Sequence, residues 1–281
     1  MSTRIVFTAD LHGNKAQYDK LFEYAQDGAS AIIIGGDIAP KDARNRTIDL
    51  QKAFLADYLI PRIAAFHQKN SMHCDVFLIM GNDDFKANYD FLKESENGYV
   101  VLDDDPTKWN GYYLVGYPYV PYTPFVYKDW EKADLTDKKE TDRKDIKLDG
   151  VMSTAKGFKE RHISLDDRND SIEKDIYGIM GKVNPRKAIL VIHSPPFNTK
   201  LDMMSGQKHV GSEAVMKMIK EKQPLLTLHG HIHETVRESG AFMEVIGGTV
   251  SLNPGNSHIG PSLAIIEIDP EEPQSAKRII L

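Results

Sequence analysis

Arg4-Ile5-Val6-Phe7-Thr8-Ala9-Asp10-Leu11-His12 is the stretch that decides the fold. A β-branched and aromatic run reads as a strand, and the Asp-x-His that ends it sets two polar side chains just past the strand's carboxyl end. The same grammar recurs downstream. Ala31–Ile34 is apolar and runs into Gly35-Gly36-Asp37, and Val76–Met80 runs into Gly81-Asn82-Asp83-Asp84. Lys187–Ile192 ends in His193, and Leu225–Leu228 is followed by His229-Gly230-His231-Ile232-His233. Helical patterns separate the first three runs. Asn14–Gln26 carries Tyr18, Leu21, Phe22 and Ala25 at helical spacing, and a longer stretch covers about Thr47–Lys69, which Pro61 is expected to kink or divide. Strand–helix alternation predicts a largely parallel sheet with helices on its face. Apolar runs without alternation predict strands buried on both sides.

Beyond Val100 the pattern changes. Trp109–Tyr117 reads as a strand, after which Pro118, Pro121 and Pro124 interrupt an aromatic stretch. Lys128–Asp149 carries eight acids and seven bases, and this near cancellation predicts a solvated surface excursion. Ile172–Gly181 and Gly211–Lys222 read as helices. Val236–Glu238, Phe242–Ile246, Thr249–Leu252, Leu263–Ile268 and Lys277–Ile280 read as a meander, which predicts a second, more antiparallel sheet. With no repeat and no clean linker, the expected organisation is one α/β (α+β) domain over residues 1–281 with a charged insertion at about 118–170.

Composition narrows the function. The chain has 281 residues, 41% hydrophobic and 27% charged, an ordinary globular mixture long enough to bury a full core without disulfide staples. A net charge of −6 argues against non-specific nucleic-acid binding, which basic charge drives. No apolar run approaches the roughly 18 residues that span a bilayer. The first acid, Asp10, comes too early for a signal-peptide core, so the expected compartment is the cytoplasm. The lone Cys74 excludes an internal disulfide and a cysteine-cluster metal site, and it reads as a small packed residue. Against it stand ten histidines. If metal is bound, imidazole and carboxylate must bind it.

In α/β sheets, sites form at the carboxyl ends of strands, where ligands far apart in sequence converge. Asp10, His12, Asp37, Asn82, His193, His231 and His233 all occupy such ends. They offer mixed oxygen and nitrogen donors without sulfur, a set suited to Mn, Fe, Zn, Co or Ni. Seven ligands are too many for one tetrahedral ion and suit two ions sharing a bridging carboxylate. Such a pair, about 3.5–4 Å apart, clamps an in-line displacement at phosphorus and generates hydroxide near neutral pH. Residues two apart, as in Asp10-x-His12 and His231-x-His233, can point into one crevice. The glycines before Asp37, Asn82 and His231 permit backbone geometry that turns a side chain sharply inward.

These five motifs, in this order, resemble the calcineurin-like metallophosphoesterases, and the Asn253-Pro254-Gly255 turn resembles the closing segment of their compact bacterial and archaeal branch. The resemblance implies a four-layer sandwich of two packed mixed β-sheets flanked by helices. It implies that Asp10, His12 and His233 hold one ion, that Asn82, His193 and His231 hold the other, and that Asp37 bridges them. It implies hydrolysis of a small phosphoester by a metal-bridging hydroxide, with Asp37, Asn82, Asp83 and His193 in the catalytic machinery. One position departs from the family pattern. Many members carry a histidine after Gly-Asn, where it is thought to contact the phosphate or protonate the leaving group; here Asp83 stands there. An ionised Asp donates no proton and repels a phosphate unless its pKa is raised. That favours good leaving groups, hence diesters over monoesters, or another acid such as His209.

His209 precedes a helix whose Gly211 and Ser212 N–H groups could meet an anion, although a plain helix cap by Ser212 is the simpler reading. His229 reads as a strand-end structural residue, His67, His73 and His162 as surface residues, and His258 as a lesser candidate than His209 for phosphate contact. Tyr117, Tyr119, Tyr122 and Phe125 could flank a substrate base or ring, although a packed hinge under the insertion is the simpler reading, and Trp130 reads as a packing anchor or a partner contact. Two competing functions remain at this level: a nuclease of the same fold, which the net charge disfavours, and a non-catalytic interaction scaffold, which the complete ligand set disfavours. No membrane contact is expected, and a homo-oligomer is left open.

Overall fold

Among the described residues, strand pairing forms two six-stranded sheets and three two-stranded ones. The computed structural model describes residues 3–41, 46–69, 73–95, 97–137, 146–166 and 169–281. The first sheet runs in the order Lys277–Ile280, Ala264–Ile268, Ile5–Thr8, Ala31–Gly35, Asp75–Ile79, Val100–Val101. From Ile5–Thr8 outward its strands are parallel, and the two C-terminal strands are antiparallel. The second runs Met243–Ile246, Thr249–Leu252, Leu226–Leu228, Ala188–Ile192, Tyr112–Tyr117, Thr107–Trp109. Its four inner strands are parallel, and only the edge pairs are antiparallel.

Alternation along each strand builds the layers. Ile5, Phe7, Ile33, Phe77 and Ile79 of the first sheet meet Leu114, Ile189, Val191 and Leu228 of the second in one apolar core. The opposite face of the first sheet, with Val6, Ile32, Ile34 and Leu78, is covered by Leu21, Phe22, Ile63 and Phe66 from helices. Val115, Leu190 and Ile192 on the outer face of the second sheet are covered by Ile176, Val215, Met218 and Ile219. Buried faces on both sides explain why these strands read as unbroken apolar runs. The result is helices, sheet, sheet, helices, the expected mixed sandwich.

Several expectations are corrected. Leu263–Ile268 and Lys277–Ile280 return to the first sheet instead of continuing a meander, and Val236–Glu238 lies within the helix Thr235–Ser239. Strand propensity cannot say which distant strand a short run will join, because pairing is fixed by non-local packing. Trp109–Tyr117 is a hairpin: Asn110 and Gly111 take φ of 45° and 83°, and Trp109 pairs with Tyr112. Asn-Gly is the pair best suited to that left-handed two-residue turn. The helical stretch about Pro61 divides into Ile48–Phe54, a π-helical turn Leu55–Leu59, and Ile60–Lys69. The widened turn, with the Ile60 N–H bonded to the Leu55 carbonyl, lies just before the proline that lacks an N–H.

The charged insertion differs most from its expectation. Lys128, Asp129, Glu131 and Asp134 are buried. Glu131–Lys132 pairs with Val120–Pro121, and Trp130 is a buried anchor whose Nε1 donates to the Asp84 carbonyl at 2.7 Å. The outlying part is the hairpin of Asp149–Thr154 and Gly157–His162. Residues 138–145 of the charged run, and 167–168, lie outside the described residues.

Candidate metal centre

The parallel strands of both sheets deliver their carboxyl ends to one edge of the sandwich. Backbone bonds then lock the loops that leave them. The Asp10 N–H donates to the Gly36 carbonyl at 3.0 Å, and the His12 N–H to the Asp37 carbonyl at 2.8 Å. His193 Nδ1 reaches from the second sheet to the Gly35 carbonyl of the first at 2.8 Å, and the His231 N–H donates to Asp10 Oδ1 at 2.9 Å. The Asp84 carboxylate accepts from the N–H groups of Ile38, Ala39 and Gly81 at 2.8–3.0 Å, so it binds the loop after Asp37 to the loop that carries Asn82.

The backbone itself is strained at four of these positions. Asp10, His12, Asp37 and His231 have φ of 58°, 43°, 52° and 70°. Non-glycine residues enter this region at a cost that surrounding structure must meet, and such strain concentrates at functional sites. The sequence reading gave this freedom to the preceding glycines. Gly36 does use it, with φ of 97°, but Gly81 and Gly230 do not. They are small because a side chain would collide: a Cβ at Gly81 would stand 2.3 Å from Asp37 Oδ1, and one at Gly230 would stand 2.7 Å from the Ala9 Cβ.

The side chains gather in two groups that share Asp37. Asp10, His12, Asp37 and His233 each present a ligand atom within 4.8 Å of the others. His12 Nε2 is 3.1 Å from His233 Nε2, and His233 Nε2 is 3.7 Å from Asp10 Oδ1. On the other side, Asn82 Oδ1 lies 3.1 Å from His193 Nε2 and 2.7 Å from His231 Nδ1. Asp37 Oδ2 stands 3.5 Å from both His12 Nε2 and His193 Nε2.

The donor set fits a cation. Asp10 Oδ2 and His12 Nδ1 are buried without a hydrogen-bond partner, and the two carboxylates, Asp10 and Asp37, are fully enclosed. Buried polar atoms are seldom left so, and an enclosed charge needs a countercharge. Protonation reflects the same field. Burial lifts Asp10 to about 7, with Asp37 adding to the rise and His193 opposing it. Burial opposes the His193 imidazolium, but Asp37 outweighs it and raises His193 to about 9. Burial drives His231 and His233 down to about 3, so both are neutral donors with free lone pairs.

The sequence profile of the calcineurin-like phosphoesterase family matches residues 3–235. The chain is a calcineurin-like phosphoesterase. That family is metal-dependent and acts on phosphoester bonds; the chain has its fold and a cluster of His and Asp side chains that could hold metal. Among curated proteins, the uncharacterized protein MJ1162 of Methanocaldococcus jannaschii is 34% identical over 92 residues, which span 31% of this chain and only 40% of that protein. Among solved structures, TT1561 of Thermus thermophilus superposes with a TM-score of 0.61 at 16% identity, covering 99% of each chain. The phosphopantetheinyl hydrolase PptH of Mycobacterium tuberculosis gives 0.50 at 13% identity, covering 90% of this chain and 88% of that one. These two likenesses are of fold.

Within this phosphoesterase, a cleft of about 260 Å³ opens beside the ligand groups. Asp37, Asn82, His231 and His233 form its floor, and Pro121, Thr123, Phe125, Met204 and Val210 form apolar walls. Phe125 is thus an exposed wall residue and not a packed hinge. His209 lies apart from this lining: its Nδ1 pairs with buried Asp202 at 2.7 Å. The helix N-terminus behind it is also engaged. Asp134 accepts from the Ser212 hydroxyl and from the N–H groups of Glu213 and Ala214, and Gly211 donates to Asp202. Of the two N–H groups that could have met an anion, that of Gly211 is taken by Asp202 and that of Ser212 by the Pro195 carbonyl, while the Ser212 hydroxyl accepts from the Val215 N–H as the plain helix cap that was the simpler reading. His229 is structural as expected, bonded to the Ile192 and Ser194 carbonyls and to Thr227.

Three more residues adjoin the ligand groups: His258, which the sequence ranked below His209, and Lys41 and Arg46, which it did not single out. His258 Nδ1 lies 3.3 Å from His233 Nδ1 and joins His12 and His233 in a second possible metal group. Lys41 and Arg46 hold Asp83, at 3.0 Å and 2.8 Å. Lys41 and Arg46 follow Asp37 by four and nine positions, and nothing in the sequence marks either.

Proposed function

We propose that this phosphoesterase hydrolyses phosphodiesters with two divalent ions. Asp10, His12 and His233 hold one, Asn82, His193 and His231 hold the other, and Asp37 is shared. The observation that carries the reading is Asp37 Oδ2, equidistant at 3.5 Å from His12 and His193, one member of each group. When bound, paired cations neutralise charge on the phosphoryl oxygens and acidify a water for attack. The chain's own residues do the positioning. His193, tied through Nδ1 to the Gly35 carbonyl, presents Nε2, the arrangement by which an outer partner orients a ligand imidazole. Asp84 fixes the spacing of the two loops that bring Asp37 and Asn82 together. The donors are oxygen and nitrogen only, which suits Mn, Fe, Zn, Co or Ni.

Preference for a diester rests on the acids. Both Asp83 oxygens are taken up by Lys41 and Arg46, and His209 faces Asp202 outside the cleft lining. Neither is placed to protonate a poor leaving group, so esters with good leaving groups are favoured. The test is to strip the protein with chelator, reload it with Mn²⁺, count metal per chain, and compare bis-aryl with mono-aryl phosphate. Two ions per chain and faster diester turnover are expected. A single ion per active chain overturns the dinuclear assignment, monoester preference overturns the diester assignment, and inactivity on both substrates overturns the reading as a whole.

A further inference from the structure

Beside the ligand groups the cleft contains a cation that no ligand role uses. Lys41 lines it together with Asp37, Asn82 and His231. Its ammonium sits 3.0 Å from Asp83 Oδ2, and Arg46 sits 2.8 Å from Asp83 Oδ1. Arg46 is itself fixed: it donates to the Asp83 carbonyl at 2.6 Å, and its guanidinium packs 4.4 Å from the centre of the Tyr127 ring and 5.2 Å from that of Phe85. One carboxylate between two cations leaves a surplus positive charge. Lys41 presents it, since its side chain is 31% exposed against 13% for Arg46. The Asp83 N–H also donates to Asp37 Oδ1 at 2.8 Å, which ties the assembly to the carboxylate shared by both ligand groups.

We propose that Lys41 is a catalytic residue that binds the phosphoryl group through its ammonium, and that Asp83 and Arg46 are positioning residues that aim it. The proposal rests on the phosphoesterase reading and deepens it. It also resolves the oddity of an acid at position 83. A bare carboxylate there would repel a phosphate, whereas one that recruits a lysine supplies a charge-assisted donor in its place.

The test uses the full metal-loaded protein and inorganic phosphate as the probe, followed by calorimetry. Lys41→Met leaves Asp83 paired with Arg46, so it is expected to fold and to load metal like the wild type. Its phosphate affinity is expected to fall about tenfold or more, the usual worth of a charged hydrogen bond. Lys41→Cys alkylated with 2-bromoethylamine before metal loading restores an ammonium and is expected to restore affinity; Cys74, buried, does not compete. Asp83→Asn is expected to weaken phosphate binding, and adding Lys41→Met to it should cost little more, because both act through one ammonium. Wild-type phosphate affinity in Lys41→Met, or loss of metal from it, overturns the proposal while a hydrolytically active wild type keeps the phosphoesterase reading. A metal-loaded wild type that neither binds phosphate nor hydrolyses esters overturns both.

Discussion

Lys128→Met is expected to be among the most destabilising single changes in the insertion. The Lys128 and Glu131 side chains are 0% and 1% exposed and meet at 2.8 Å. Burial pushes Lys128 down and Glu131 up in pKa, each only partly offset by its partner. Burial therefore works against both charges, and losing one partner strands the other. Breaking a buried pair from one side costs about 3–5 kcal/mol. At roughly 2.1 cal/mol/K of unfolding entropy per residue, a 281-residue chain loses about 5–8 °C in Tm. The pair also clamps Thr123 in the cleft wall: Lys128 donates to its carbonyl at 2.8 Å, and Glu131 accepts from its N–H and its hydroxyl. KM should therefore rise with metal content unchanged. Lys128→Met/Glu131→Gln removes both charges and keeps an acceptor for Thr123, so it should recover to within about 1–2 kcal/mol of wild type. Thermal and denaturant unfolding of the two single variants and the double would measure the coupling. A Lys128→Met cost below about 1 kcal/mol with an additive double would refute the reasoning, since that is how an exposed pair behaves.

Three further outcomes follow from the packing. Burial pushes the Cys74 thiol up to about 12, so in the native protein it should react with Ellman's reagent about a thousandfold more slowly than a free thiol, and normally once unfolded in denaturant. Gly230→Ala places a Cβ 2.7 Å from the Ala9 Cβ and 3.0 Å from Asp10 Oδ2; a loss of about 1–3 kcal/mol and a lower metal content are expected, read by calorimetry and metal analysis. Partial burial opposes the Glu173 carboxylate, but Lys217 at 2.6 Å and then Thr136 outweigh it and lower its pKa to about 2. A depressed carboxyl pKa stabilises the fold above the unfolded value of 4.5 and loses that stabilisation as pH falls toward 2. Glu173→Gln should flatten stability over that window by at most about 1 kcal/mol, because Lys217 is half-exposed; an unchanged acid profile would refute the pairing.

The sheet strands and the residues at their ends were legible in the sequence because both depend on local pattern. Ile5–Thr8 and Ala31–Gly35 are buried on both faces, and nothing but an apolar run satisfies that. Asp10, Asp37 and His231 were visible because polar residues directly after such runs are conspicuous. What was not legible depends on pairing across the fold. Asp134 and Lys128 read as surface charges, since sequence does not show that helix N–H groups or a buried Glu131 await them. Lys41 and Arg46 gave no signal, because their meaning lies in Asp83, about forty positions away. His258 became relevant only where its loop returns beside His233.

Ile5–Thr8 lies between Ala31–Gly35 and Ala264–Ile268, and the carbonyls of Ala9 and Asp10 accept from the Asn256 side chain. During synthesis, every residue from Asp10 to His233 therefore leaves the ribosome before the strand that flanks the first one. Until then, the growing chain carries an unpaired strand edge in what becomes the middle of a sheet, the kind of edge that invites association with other chains. The loop that carries Asp10 accordingly gains the support of the Asn256 side chain only after every clustered His and Asp from Asp10 to His233 has been made, and a chain stalled between those points would hold that cluster without this support.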